Sequence, residues 1–111
     1  MQTQPTPGPW RYCKTNGSPT HGQHMIAGAK PGYLAEVLDC GSGDVGDNAR
    51  LIASAPDLLE ALQWYEAKAV QMGRAAIDKD SKLLLELMKE VAVEYGAQAR
   101  AAIARATGEQ P

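Results

Sequence analysis

The sequence predicts an α+β fold: a small antiparallel three-stranded sheet followed by a short helix and a long antiparallel helix pair. Three observations lead there. Residues 1–47 hold eight of the eleven glycines and five of the seven prolines, which cut that part into short pieces. Residues 48–107 hold two glycines and one proline, and their Leu, Ala and Glu content favours helix. In that second part apolar residues recur at steps of three and four, the spacing of one helix face.

The elements follow in order. Residues 1–8 are polar and Pro-rich and are expected to be a flexible N-terminus, ahead of a β-rich part over 9–47. Trp10–Lys14 follows Pro-Gly-Pro and reads as a first strand. Gln23–Ala27, after the turn-like Asn16-Gly17-Ser18-Pro19, reads as a second. Tyr33–Leu38 follows Pro31-Gly32 and alternates, with Tyr33, Ala35 and Val37 on one face. A meander of three short strands is marginal alone and needs a helix on one face.

Residues 48–107 form the helical part, and 108–111 a tail of the same single domain. Asp44 or Asp47 can cap a short helix ending near Ala53, and Pro56 suits the first turn of the next. That helix, about Pro56 to Met72, carries Leu58, Leu62, Tyr65, Ala69 and Met72 as its apolar stripe. Gly73 ends it, or Arg74-Ala75-Ala76 prolongs it. Asp80 or Ser81 caps a last helix to about Thr107, striped by Leu84, Met88, Val91, Tyr95, Ala99 and Ala102 and widened by Leu85, Ala92 and Ile103. Leu51, Ile52, Leu58, Leu59 and Leu62 read as core.

Composition narrows the function classes. Hydrophobic residues are 44% of the chain but aromatics only 5%, with no Phe, so the core rests on Leu, Ile, Val, Met and Ala. Alanine has little area to bury, so a homo-oligomer is expected to add burial. A net charge of −2 lacks the positive field of a duplex-binding protein, and a nucleic-acid-associated regulator ranks third among the functions considered. The first residues lack a signal peptide's basic and apolar regions, and no apolar run approaches the ~18 residues of a membrane span. A cytoplasmic location is expected. Cys13 and Cys40 are then expected to be free thiols, with a disulfide second.

Two segments carry a resemblance. Thr6-Pro7-Gly8-Pro9-Trp10, and the block Asn48-Ala49-Arg50-Leu51-Ile52-Ala53-Ser54-Ala55-Pro56-Asp57-Leu58-Leu59-Glu60-Ala61-Leu62, resemble the short phage and prophage proteins of the Ead-like group. The resemblance implies phage origin and a β-then-α layout, and no activity. Trp10 reads first as a core anchor and second as a stacking surface. Asn48 and Arg50, near a helix start, cap or face water, or meet an anionic ligand.

Chemistry is sparse. Gly41-Ser42-Gly43-Asp44-Val45-Gly46 matches a dinucleotide fingerprint, but no second βα unit follows and Asp44 and Asp47 crowd the pyrophosphate position. A glycine loop leading to a capped helix is the better reading, and no cofactor is expected. Cys13, His21, His24 and Cys40 lack paired zinc-ligand spacing, so no metal is expected and both histidines read as exposed loop residues. Glu86, Glu90 and Glu94, at steps of four, read as a solvated stripe paired with Lys82 and Lys89. No catalytic constellation emerges, and the chain is expected not to be an enzyme.

Arg100 and Arg105 sit among alanines near the end of the last helix. Five residues apart, they point about 140° from each other. Favourable charge at a helix C-terminus explains them simply. Alternatively, small alanines allow close packing between copies and leave one arginine per copy to clamp an anion.

Two functional expectations follow. In the first, a non-enzymatic phage protein counters host defence by sequestering a small cyclic nucleotide signal between copies of itself, using Trp10, Asn48, Arg50, Tyr95, Arg100 and Arg105. Its motive is the architecture, which is similar to that of phage anti-Thoeris sponge proteins, a likeness of fold alone. In the second, the protein is an anti-CRISPR-like inhibitor or adaptor of a host defence protein, with an exposed strip near Trp64, Tyr65, Leu85 and Val93.

Overall fold

The computed structural model describes residues 4–19, 22–39, 41, 43–94 and 96–108. Three strands, β1 (Arg11–Lys14), β2 (His24–Ala27) and β3 (Tyr33–Glu36), form an antiparallel sheet in the order β1-β2-β3. Tyr12 faces Ile26 across the first ladder, and Ile26 faces Ala35 across the second, with an irregularity between Ile26 and Ala27. The Asn16-Gly17 turn is held by Thr15, whose hydroxyl donates to the Gly22 carbonyl at 2.8 Å and accepts from the Gly17 N–H at 3.0 Å.

Helix α1 (Val45–Ala53) begins at Asp44, whose carboxylate accepts from the Asp47 N–H at 2.9 Å. Of the two candidate caps, Asp44 does the work, and the glycine loop before it is a lead-in to the helix. On the sheet, α1 sets Ala49 and Ala53 against Ile26, with Trp10, Tyr12 and Val37 around them. Ser54 joins α1 directly to α2 (Ala55–Ile77), its buried hydroxyl donating back to the Arg50 carbonyl at 2.8 Å. Gly73 does not end α2. The helix continues to Asp78, and Lys79 at φ 57 turns the chain while its N–H donates to the Ala76 carbonyl. Asp80 then caps α3 (Ser81–Glu94), accepting from the Leu83 N–H at 3.1 Å.

The last helix differs most from expectation. It is two helices, α3 and α4 (Ala97–Thr107), broken at Gly96, which adopts φ 73. Glu94 makes the break. Its carboxylate accepts from the Gln98 N–H at 2.5 Å and the Gly96 N–H at 2.9 Å, and from the Tyr65 hydroxyl on α2. A side chain that satisfies the first N–H groups of α4 replaces the helical bonds lost at the break. Glu94 is thus half-buried and Glu90 pairs with Lys68, so two of the three glutamates are tied to α2 while Glu86 stays exposed. The reading of a solvated stripe served by Lys82 and Lys89 is corrected for Glu94, which is half-buried, and for Glu90, whose partner is Lys68.

The core reading of the leucines is also corrected. Leu51, Ile52, Leu59 and Leu62 are exposed, while seven of the ten buried hydrophobic residues among those described are alanines. On α2 the face turned to α3 and α4 runs through Ala61, Tyr65, Lys68, Met72 and Ala75; it keeps Tyr65 and Met72 of the expected stripe, with Leu58 half-buried, and takes Ala61 and Lys68 where Leu62 and Ala69 were expected. On α3, Leu87 is buried while Met88 is exposed. Small residues bring helix axes close, and here that closeness decides the phase.

The Glu94 junction gives a pH prediction. The Gln98 N–H first, and then the Tyr65 hydroxyl, hold the Glu94 carboxyl below the ordinary glutamate range. The matching bond raises the Tyr65 hydroxyl above the ordinary tyrosine range. A depressed carboxyl contributes stability that is fully present above its unfolded value and is lost as pH falls through its folded one. Glu94→Gln is therefore expected to be less stable than wild type in urea at about pH 7, with the gap closing towards about pH 3. A gap that stays constant over that range means the carboxylate is not the cap.

Candidate functional site

The close packing of α4 against α1 and α2 leaves an open cleft of about 630 Å³ at that end of the helical part. Arg50 of α1 and Arg105 of α4 line it, with Asp57, Glu60 and Ala61 of α2 and Gln98 and Ala102 of α4 between them. Each arginine already has a carboxylate. Arg105 reaches across the cleft to Asp57, and Arg50 pairs with Asp47 at 2.7 Å while its guanidinium lies 5.8 Å from the centre of the Tyr12 ring. The guanidinium-bearing side chains stay well exposed, 44% for Arg50 and 65% for Arg105. Exposed pairs of this kind contribute about 0–1 kcal/mol, so the arginines can exchange partners at little cost.

A second cleft, of about 660 Å³, lies on the other side of the first turns of α2. The segment from Gln4 to Trp10 forms one wall, and Pro56, Asp57, Leu59, Glu60 and Gln63 form the other. Asp57 and Glu60 border both clefts. The Trp10 indole N–H donates to the Thr6 carbonyl at 3.0 Å, folding the Pro-rich segment on itself. Gly8 lies so close to α2 that a Cβ there would stand 2.8 Å from the Pro56 Cβ. The two sequence motifs therefore touch, and a glycine is needed where they meet.

The six residues expected to bind a ligand do not form one group. Arg50 and Arg105 share the first cleft. Trp10 lines the second while also packing on the Ile26 cluster. Asn48 is exposed beside Gly43, because two residues on a helix point about 200° apart and Arg50 takes the cleft side. Arg100 sits over Gly96 beside the Glu94 junction and does not line the cleft. Tyr95 lies outside the described residues. The arginines of α1 and α4 converge within one chain, so their cleft needs no second copy. Ala102 and Ala104 of α4 are buried, so these alanines serve packing within the chain. Asp57, Glu60 and Gln98 were missed; they read as ordinary surface residues until α2 and α4 are seen side by side.

The other clusters resolve simply. His24 is half-buried at the start of β2, stacked on the Tyr12 ring at 5.9 Å, and its Nδ1 shares a 2.7 Å hydrogen bond with the Tyr12 hydroxyl. The reading of His24 as an exposed loop residue is corrected, since diagonal partners on one face of a two-strand ladder fall within reach. His21 and Cys40 lie outside the described residues, and Cys13 is a half-buried free thiol. Among the described residues no group of three His, Cys, Asp or Glu side chains is arranged to hold a metal ion, and no helix is long and apolar enough to cross a membrane.

Fold and cleft together define a small α+β protein, a helix-backed sheet carrying a helical extension. The chain belongs to the family described as Salmonella phage P22 protein Y8K6, which it matches over residues 1–110. It is a phage protein, as the two motifs implied. No curated protein and no solved structure matches it.

The contact at Gly8 is testable. Gly8→Ala forces the Pro-rich segment away from Pro56 and is expected to cost roughly 1–3 kcal/mol in urea unfolding, the usual range for overpacking. Unchanged stability would show that the segment does not depend on this contact.

Proposed function

We propose that the protein is a non-enzymatic phage accessory protein that counters host defence in the bacterial cytoplasm by binding and sequestering a small nucleotide signal. One observation carries this reading: Arg50 and Arg105, far apart in sequence, line one cleft with two carboxylates between them. The cleft volume suits a small ligand. A phosphate takes the arginines from Asp47 and Asp57 through bidentate, charge-assisted hydrogen bonds. The carboxylates of Asp57 and Glu60 are then free to accept from ribose hydroxyls and exocyclic amines. Trp10, across the Asp57–Glu60 ridge, offers an aromatic face. A ligand that is anionic at one end and rich in donors at the other fits this pattern better than a bare polyphosphate, which the carboxylates repel. The phage family motivates the counter-defence role.

Calorimetry and thermal-shift titrations with cyclic mono- and dinucleotides and cyclic ADP-ribose isomers test the reading. At least one is expected to bind, and Arg50→Ala and Arg105→Ala are each expected to weaken it about ten- to hundredfold, as loss of a charged hydrogen bond implies. Absence of heat and of thermal shift across the panel, or binding indifferent to both substitutions, ends this reading.

A second reading, inhibition of a host defence protein by direct contact, is favoured by the exposure of Leu85 and Val93 on α3. Trp64 and Tyr65 contribute less to that strip, since both are half-buried and Tyr65 is bonded to Glu94.

A further inference from the structure

Helix α2 carries apolar residues on two opposite faces. One packs on α3 and α4. The other carries Leu59, Leu62, Val70 and Ile77, which fall within about 80° of arc and stay between 51% and 82% exposed. Ala69 and Gly73 lie along the same face and keep its middle shallow. Glu66 and Arg74 flank Val70, one turn to either side, and neither side chain has a partner among the described residues.

The whole chain shows the same incompleteness. Its accessible surface is 8309 Å², against roughly 5,900 Å² for a folded monomer of this mass. The radius of gyration is 18.6 Å, against about 13 Å for a compact chain of this length. The excess surface, about 2,400 Å², falls within the 1,000–2,500 Å² or so that each subunit gives to an obligate dimer.

We infer that the outward face of α2 is an interface with a second copy of this chain, the two α2 helices crossing antiparallel about a two-fold axis near Val70. In that register each Glu66 faces the partner's Arg74, twice by symmetry, and Leu62 reaches the partner's Ile77. A parallel pairing sets Glu66 against Glu66 and Arg74 against Arg74, which costs energy. The axis lies along the middle of α2, away from the arginine cleft, so this inference stands independently of the ligand reading.

Light scattering on the eluting protein tests it. Wild type is expected at twice the 11.8 kDa chain mass. Val70→Glu sets two carboxylates together on the axis and is expected to give the single-chain mass. Glu66→Arg alone, which faces two arginines with two more, is expected to do the same, and Glu66→Arg with Arg74→Glu is expected to restore the dimer. All three sites are exposed, and circular dichroism reports whether each variant folds. If Val70→Glu fails to fold, the charge pair still decides. Wild type at the single-chain mass at about 100 μM overturns the inference and leaves the face to another partner. A dimer indifferent to Glu66→Arg places the interface elsewhere and overturns it equally.

Discussion

The structure depends on how closely α1 can approach the sheet. Three four-residue strands cannot bury both faces of anything, and among the described residues Ile26 is the largest side chain fully removed from water. What covers it is Ala49 and Ala53, two small residues one turn apart on α1. Larger residues there would lift the helix and uncover Ile26. With α1 held low, its other flank meets α4, whose alanines also permit close approach. The positions of Arg50 and Arg105 follow from these two alanine contacts. The cleft is a product of how the core is packed.

Much of this was legible in the sequence, for identifiable reasons. Glycine and proline mark the strand ends, and alternation marks strand faces, so the meander and its order could be read directly. Asp44, Pro56 and Asp80 announce helix starts through chemistry that is local to a few residues. The phase of the helices was legible only in part: Leu58, Tyr65, Met72, Leu84 and Val91 of the expected stripes are half-buried, while Leu62 and Met88 are exposed. Leu58, Leu59, Ala61 and Leu62 all lie near the start of α2, and choosing the largest residues selects a face by hydrophobicity. The chain selects by closeness instead, turning Ala61 inward and leaving Leu62 outside.

The break in the last helix was hidden for a different reason. Gly96 is a weak signal, since a glycine inside a helical pattern is often tolerated, as Gly73 is in α2. What separates the two is Glu94, whose carboxylate gives the N–H groups past the break somewhere to go. That partnership depends on Tyr65, 29 residues earlier, holding the carboxylate in place. For the site, angular arithmetic separated Arg100 from Arg105 correctly. The same arithmetic applied to Asn48 and Arg50 would have separated them too, since two residues of one short helix point in nearly opposite directions.

Helix α2 therefore turns Ala61 and Ala75 inward among Tyr65, Lys68 and Met72 and leaves Leu59, Leu62, Val70 and Ile77 outside, which suits the dimer inferred above. Inside, alanine gives close contact with little area. Outside, leucine, valine and isoleucine give area without demanding a tight fit. Asp57 and Glu60 project into the arginine cleft from the first turns of this same helix, while the apolar face continues for more than four turns beyond them. One long helix can carry both contacts at separate places along its length. Sites are coupled only when each ligand favours one of two arrangements over the other. If α2 keeps one arrangement in both, the proposed ligand capture and the inferred self-association add without cooperating, and a dimer carries two equal clefts.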